Sequence, residues 1–144
     1  MKKNIIAISI IVSIVLIMWL LLNFFNTKSA DWNFIQNVGG IKIEKPIDTD
    51  DGYYLPVICN VSGLDSITVK PKILNSSLFC LKTKVSIDEN KIYLTIITGI
   101  SIFGNESSKS KAVRIGNLKE GNYKIYYKDK LSDKYLIDVF TIKK

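Results

Sequence analysis

The chain has 144 residues with 20 basic and 13 acidic side chains, a net charge of +7, and no histidine. The missing imidazole removes the commonest general base, the commonest transition-metal ligand and the ordinary pH switch together. Lys2, Lys3 and Lys28 belong to the N-terminal region, so the remainder carries 17 basic against 13 acidic groups, an ordinary mixed surface and not the strongly basic one that nucleic-acid binding asks for.

The first element is the apolar run Ile5 to Phe25, interrupted by Ser9, Ser13 and Asn23. It is about as long as the ~20 residues a helix needs to cross a bilayer, and longer than the ~7–15 apolar residues of a cleaved signal. A cut after Ala30 would put Lys28 at the minus-three position, which wants a small side chain. A cut after Ser29 would put Thr27 there, and that is the route to the alternative of a cleaved, secreted domain. No cysteine follows the run to receive a lipid. The expectation is an uncleaved signal-anchor helix over about 4–25 within an N-terminal region 1–30. Lys2 and Lys3 precede it, while Lys28 and Asp31 nearly cancel after it, which places the N-terminus in the cytoplasm. The rest then faces the periplasm or cell exterior, anchored in the cytoplasmic membrane. Trp19, Phe24, Phe25 and Trp32 fall near the outer end of the span.

Residues 31–40 read as a connector ending at Gly39 and Gly40, and 41–144 as one domain, a size at which a single core is expected. From Gly40 onward, short β-branched and aromatic runs alternate with turn signals. Strands are predicted at Ile41–Glu44, at Tyr53–Cys59 with Pro56 marking an edge or bulge, and at Ile67–Lys70, resuming after Pro71 at Lys72–Leu74. Another is predicted at Leu78–Ile87, with Phe79, Leu81, Val85 and Ile87 in phase and Cys80 out of phase. Asp88, Glu89 and Asn90 turn into Lys91–Thr98, the clearest hairpin. Ile100 and Ile102 extend that strand past Gly99. A polar loop, Gly104–Lys111, precedes a short strand at Ala112–Ile115, and a last hairpin joins Gly121–Lys128 to Lys134–Ile142.

Leu118, Gly121 and Tyr123, followed by alternating Ile125 and Tyr127, resemble the tyrosine corner of immunoglobulin-like and fibronectin-type sandwiches. The likeness covers about ten residues at the level of fold, and no tryptophan stands between the two cysteines. It implies an all-β fold, an antiparallel β-sandwich of about seven or eight strands after one N-terminal transmembrane helix. A small barrel is the alternative.

Four groups of residues bear on chemistry. Cys59 and Cys80 form an even pair in a segment expected outside the cytoplasm, which reads as a disulfide closing a loop worth roughly 3 kcal/mol. Asp48, Asp50 and Asp51 before Gly52 are the sharpest calcium candidate. The EF-hand register fails there, because Ile47 and Thr49 would fall at the first ligand positions and no Glu closes the loop; an Asp-Gly turn accounts for the same residues. Ser107–Lys111 pairs serines with lysines, but in a solvated loop that does not desolvate a lysine as a Ser-Lys hydrolase requires. Lys124, Tyr126, Lys128 and Lys130 combine cations with an aromatic ring and make the candidate binding surface, with Tyr123 and Tyr127 turned inward. No cofactor is expected. Together these readings describe a membrane-anchored binding module with a protein or polymer partner in the envelope, without catalysis or nucleic acid. Its partner role fits an assembly subunit or a toxin-immunity inhibitor equally. The alternative is a small hydrolase working with two carboxylates about 5–10 Å apart.

Overall fold

The computed structural model describes residues 2–26, 28–100 and 107–143, with side chains of the first helix described from Ile6 to Leu21. That helix, α1, is Lys2–Asn26, and the apolar side chains described along it, Ile6 through Leu21, are exposed. Among the described residues no helix is long and apolar enough to cross a membrane. A two-residue strand, β1 (Lys28–Ser29), follows at once and pairs antiparallel with the end of β7 (Lys91–Gly99), Lys28 opposite Thr98. The remainder is mostly strand in mixed sheets.

The connector is helical. Asp31 caps α2 (Trp32–Asn37), its carboxylate accepting from Phe34 N–H at 2.7 Å; Ile35 and Val38 are fully buried. Apolar residues at one-turn spacing and a good N-cap were present in the sequence, but six residues are too few to announce a helix without the core they cover. Gly39 and Gly40 follow with φ of +125° and +86°, and a Cβ on Gly40 would collide with Thr68 Oγ1. Glycine is therefore required there on both counts.

Strands β2 (Lys42–Ile43), β3 (Ile47–Thr49), β4 (Gly52–Leu55) and β5 (Val57–Ile58) form a hairpin broken at Pro46 and Pro56: β2 pairs β5 and β3 pairs β4. Leu55, Val57 and Cys59 are buried while Tyr54 and Ile58 are half-buried, the alternation expected of this strand. β8 (Val113–Gly116) lies on the other edge of β4. β6 (Phe79–Asp88) pairs β7, and β9 (Gly121–Lys128) pairs β10 (Lys134–Ile142). Both hairpins lie within a residue or two of their expected bounds, because each combines strict alternation with a polar turn. Part of the expected extension past Gly99, including Ile102, lies outside the described residues.

Two expectations fail. The strand at Ile67–Lys70 and its resumption at Lys72–Leu74 do not form: the N–H groups of Ile67, Thr68 and Val69 all turn toward the carbonyl of Gly39, at 3.0, 2.9 and 3.2 Å. Lys72 and Ile73 bond likewise to the Asn37 carbonyl, at 2.8 and 2.9 Å. The segment from Val61 to Leu78 is thus wound onto the connector, where it satisfies the carbonyls that α2 leaves unpaired. The sheet is also not purely antiparallel, since β7 and β9 are parallel, Lys91 opposite Lys124 and Leu94 opposite Tyr127. In an immunoglobulin arrangement the third strand neighbours the sixth. Here the β6–β7 hairpin is turned over, so β7 borders β9 and Cys80, at the start of β6, bonds to Ser107, in the stretch leading to β8 (Cys80 N–H to Ser107 O, 2.9 Å).

One core fills the interior: Ile35, Leu55, Val61, Ile92, Leu94, Ile96, Ile125 and Tyr127 are fully buried. Each apolar side chain of that size removed from water contributes about 1.5–3 kcal/mol. Two tyrosines tie the edges to it. Tyr123 Oη donates to Lys119 O at 3.0 Å and accepts from Lys119 N–H at 3.1 Å, closing the tyrosine corner. Tyr127 Oη donates to Ala30 O at 2.8 Å, clasping the connector to the sheet.

Candidate binding surface

The alternation that sends Ile125 and Tyr127 inward sends Lys124, Tyr126 and Lys128 to the outer face of the five-stranded sheet. The parallel register of β7 and β9 sets Lys91 beside Lys124 and Tyr93 beside Tyr126. From the outer strands, Lys84 stands opposite Thr95, and Lys134 opposite Lys128. The rings of Tyr93 and Tyr126 stack with centroids 5.7 Å apart and planes at 30°, and Lys134 Nζ lies 4.7 Å from the Tyr93 centroid. This cation–π contact in an exposed setting is worth about 0.5–1 kcal/mol.

The electrostatics of this face are unbalanced. Lys128 and Lys134 are like charges directly opposite one another, which destabilises a sheet, while Lys91 stands between Lys124 on β9 and the carboxylate of Asp88 on β6. The ion pairs among the described residues lie elsewhere: Lys109 with Asp65 at 3.5 Å, Arg114 with Asp51 at 3.7 Å, and Lys130 with Asp31 at 3.7 Å. Lys130 therefore leaves the expected cluster. It stands on the β9–β10 turn and faces the cap of α2. Lys84, Lys91, Tyr93 and Lys134 take its place; Lys84 and Lys134 come from hairpins the alternation announces, but Lys91 and Tyr93 could not be joined to the cluster from sequence, because a parallel neighbour has no hairpin to announce it.

The aspartates expected at the calcium candidate do not converge. Asp48 lies on β3, and Asp51 is occupied by Thr49 Oγ1 at 2.7 Å and Tyr54 Oη at 3.0 Å. Those two hydroxyls, with Arg114 a lesser influence, hold the Asp51 carboxyl below the usual range. Among the described residues no group of three or more cysteines or carboxylates is placed to hold a metal ion. Asp129 is the buried carboxylate among them, and its Oδ1 accepts from Leu131 N–H at 2.9 Å and Asp133 N–H at 3.2 Å, which builds the β9–β10 turn. Buried Asn60 is likewise consumed, donating to Asp65 at 2.5 Å and accepting from Ser62 N–H at 3.0 Å.

The expected disulfide is absent, and Cys59 and Cys80 are both free thiols. A bulge at Leu81 shifts the β6 register so that Cys80 sits opposite buried Thr98, on the inner side, instead of outward with Lys82 and Lys84. The segment 107–110 then separates the two: Ser110 N–H bonds to Cys59 O and Cys80 N–H to Ser107 O, both at 2.9 Å. Strands once removed are roughly 10 Å apart, beyond the less than ~7 Å that a disulfide spans. Burial pushes the Cys59 thiol up to about 12, with the Cys80 thiol adding to it.

No family model matches the chain, and neither a curated protein nor a solved structure matches it.

Proposed function

We propose that this chain is a single-pass, membrane-anchored β-sandwich module exposed outside the cytoplasm, and that it binds an anionic protein or polymer of the cell envelope without catalysing a reaction. The observation that carries the binding role is the outer sheet face, where Lys84, Lys91, Lys124, Lys128 and Lys134 surround the stacked pair Tyr93 and Tyr126 and outnumber Asp88, the carboxylate opposite Lys91. The cross-strand pair Lys128 and Lys134 destabilises the free protein and loses that penalty when an anion lies across it. The rings supply flat area of low conformational entropy for the partner to rest on. The anchor is supported by the run Ile5–Phe25 and by the exposed apolar side chains of α1. The sandwich reading is supported by sheets that enclose a single core and by the tyrosine corner at Tyr123.

The test uses the full chain in detergent, with dextran sulfate as anionic probe and neutral dextran as its control. Lys91→Glu with Lys124→Glu is expected to weaken binding at least tenfold and to flatten its salt dependence, while Lys72→Glu, on the segment held by the connector, leaves both unchanged. Equal binding by parent and double variant would remove the surface from consideration. Crosslinking in native membranes, with mass spectrometry of the mature N-terminus, then names the partner and decides between an anchored and a cleaved chain.

A further inference from the structure

The end of the domain at which α1 joins is marked by an unusual set of side chains. Leu131, Leu64 and Leu74 are 73 %, 70 % and 69 % exposed, more than any described apolar residue of α1 itself. All three stand on turns or loops, where a polar residue would cost nothing, and the topology gathers them.

Leu131 lies on the β9–β10 turn beside Lys130, whose Nζ is 3.7 Å from Asp31, and β9 reaches the same place through Tyr127 Oη on Ala30. Leu64 precedes Asp65, which pairs with Lys109 at 3.5 Å. Lys109 follows Ser107 and Ser108, and Ser107 O accepts from Cys80 N–H; Cys80 stands opposite Thr98, which stands opposite Lys28. Leu74 is held near Leu64 by Ser76 N–H on Ser62 O at 3.0 Å. Exposed Ile100 follows the end of β7 at the same level. The opposite end turns at Asp50–Asp51 and Glu89–Asn90, polar loops whose flanking strands expose Ile47 and Ile87, at 53 % and 42 %, less than the three leucines.

We infer that Leu64, Leu74 and Leu131, ringed by Lys28, Lys109 and Lys130, are a membrane-contacting rim that seats the domain in the interfacial layer of the bilayer α1 enters. The inference rests on the anchored reading above and deepens it. Only Thr27 separates α1 from β1, and β1 is hydrogen-bonded into the sheet, so the domain has no tether on which to stand away from the surface. Leucines at that depth lose their exposure to water, and the lysines lie level with anionic headgroups. The Lys and Tyr face of the sheet then stands upright from the membrane, open to a partner from the side.

The experiment places the full chain in nanodiscs of phosphatidylethanolamine and phosphatidylglycerol with brominated acyl chains, and follows tryptophan fluorescence. Leu64→Trp, Leu74→Trp and Leu131→Trp are compared with Ile47→Trp at the far end, and the parent with Trp19→Phe. The expected result is bromine quenching of the added tryptophan at the three rim positions and none at position 47. If Trp19 is quenched but the rim positions behave like position 47, the rim is overturned and the anchor stands. If Trp19 is not quenched either, the anchored reading fails with it.

Discussion

At the scale of single residues, the interior depends on each buried polar atom finding a partner. Tyr127 is the best case: its ring is fully buried, Trp32 lies 5.6 Å from it, and its hydroxyl ends on the Ala30 carbonyl. Burial raises the Tyr127 phenol well above its ordinary range, as it raises the Cys59 thiol to about 12. Both groups therefore hold their protons more tightly in the folded chain than in the unfolded one. Their contribution to stability is complete below the unfolded values and is lost as pH rises from about 9 toward 12. Urea denaturation should accordingly give a midpoint that is flat up to pH 8.5 and falls steadily above it. Tyr127→Phe should cost about 1 kcal/mol at pH 7, because the Ala30 carbonyl loses its donor. The same variant should show a shallower alkaline decline than the parent. An equally steep decline would assign the alkaline loss to other groups.

At the scale of elements, the connector carries more of the fold than its length suggests. It supplies the cap of α2, the buried Ile35 and Val38, and the Asn37 and Gly39 carbonyls that hold the segment from Val61 to Leu78. Asp31 serves this element in two ways, as N-cap and as ion-pair partner of Lys130. The cap should dominate, since exposed ion pairs contribute less than about 1 kcal/mol and an N-cap typically about 1 kcal/mol. Asp31→Asn should therefore leave the unfolding free energy within a few tenths of a kcal/mol of the parent, and Asp31→Ala should lower it by about 1 kcal/mol. Similar losses in both variants would mean that the charge, not the cap, is what matters.

At the scale of the whole molecule, one core is shared by the connector, both long hairpins and the broken hairpin β2–β5. Nothing in this arrangement offers a part that keeps its own core when the rest unfolds. Far-UV circular dichroism of the domain strands and the fluorescence of Trp32, which stacks on Tyr135 at 4.9 Å, should therefore report a single coincident transition in urea. Separate midpoints would show that the connector and the segment from Val61 to Leu78 open before the sheets.

How much of this was legible in advance depended on the range of the interaction. The hairpins β6–β7 and β9–β10, the inward Tyr123 and Tyr127, the outward Lys124, Tyr126 and Lys128 and the tyrosine corner follow from alternation and turn chemistry, which act between residues close in the chain. So does the length of the apolar run at Ile5–Phe25. The helical connector, the bulge that turns Cys80 inward, the two thiols held apart by 107–110, and the transfer of Lys130 out of the basic cluster in favour of Lys91 and Tyr93 do not. Each depends on which strand lies beside which, and a parallel pairing or a one-residue bulge leaves no local pattern, because its stability comes from packing against residues distant in sequence.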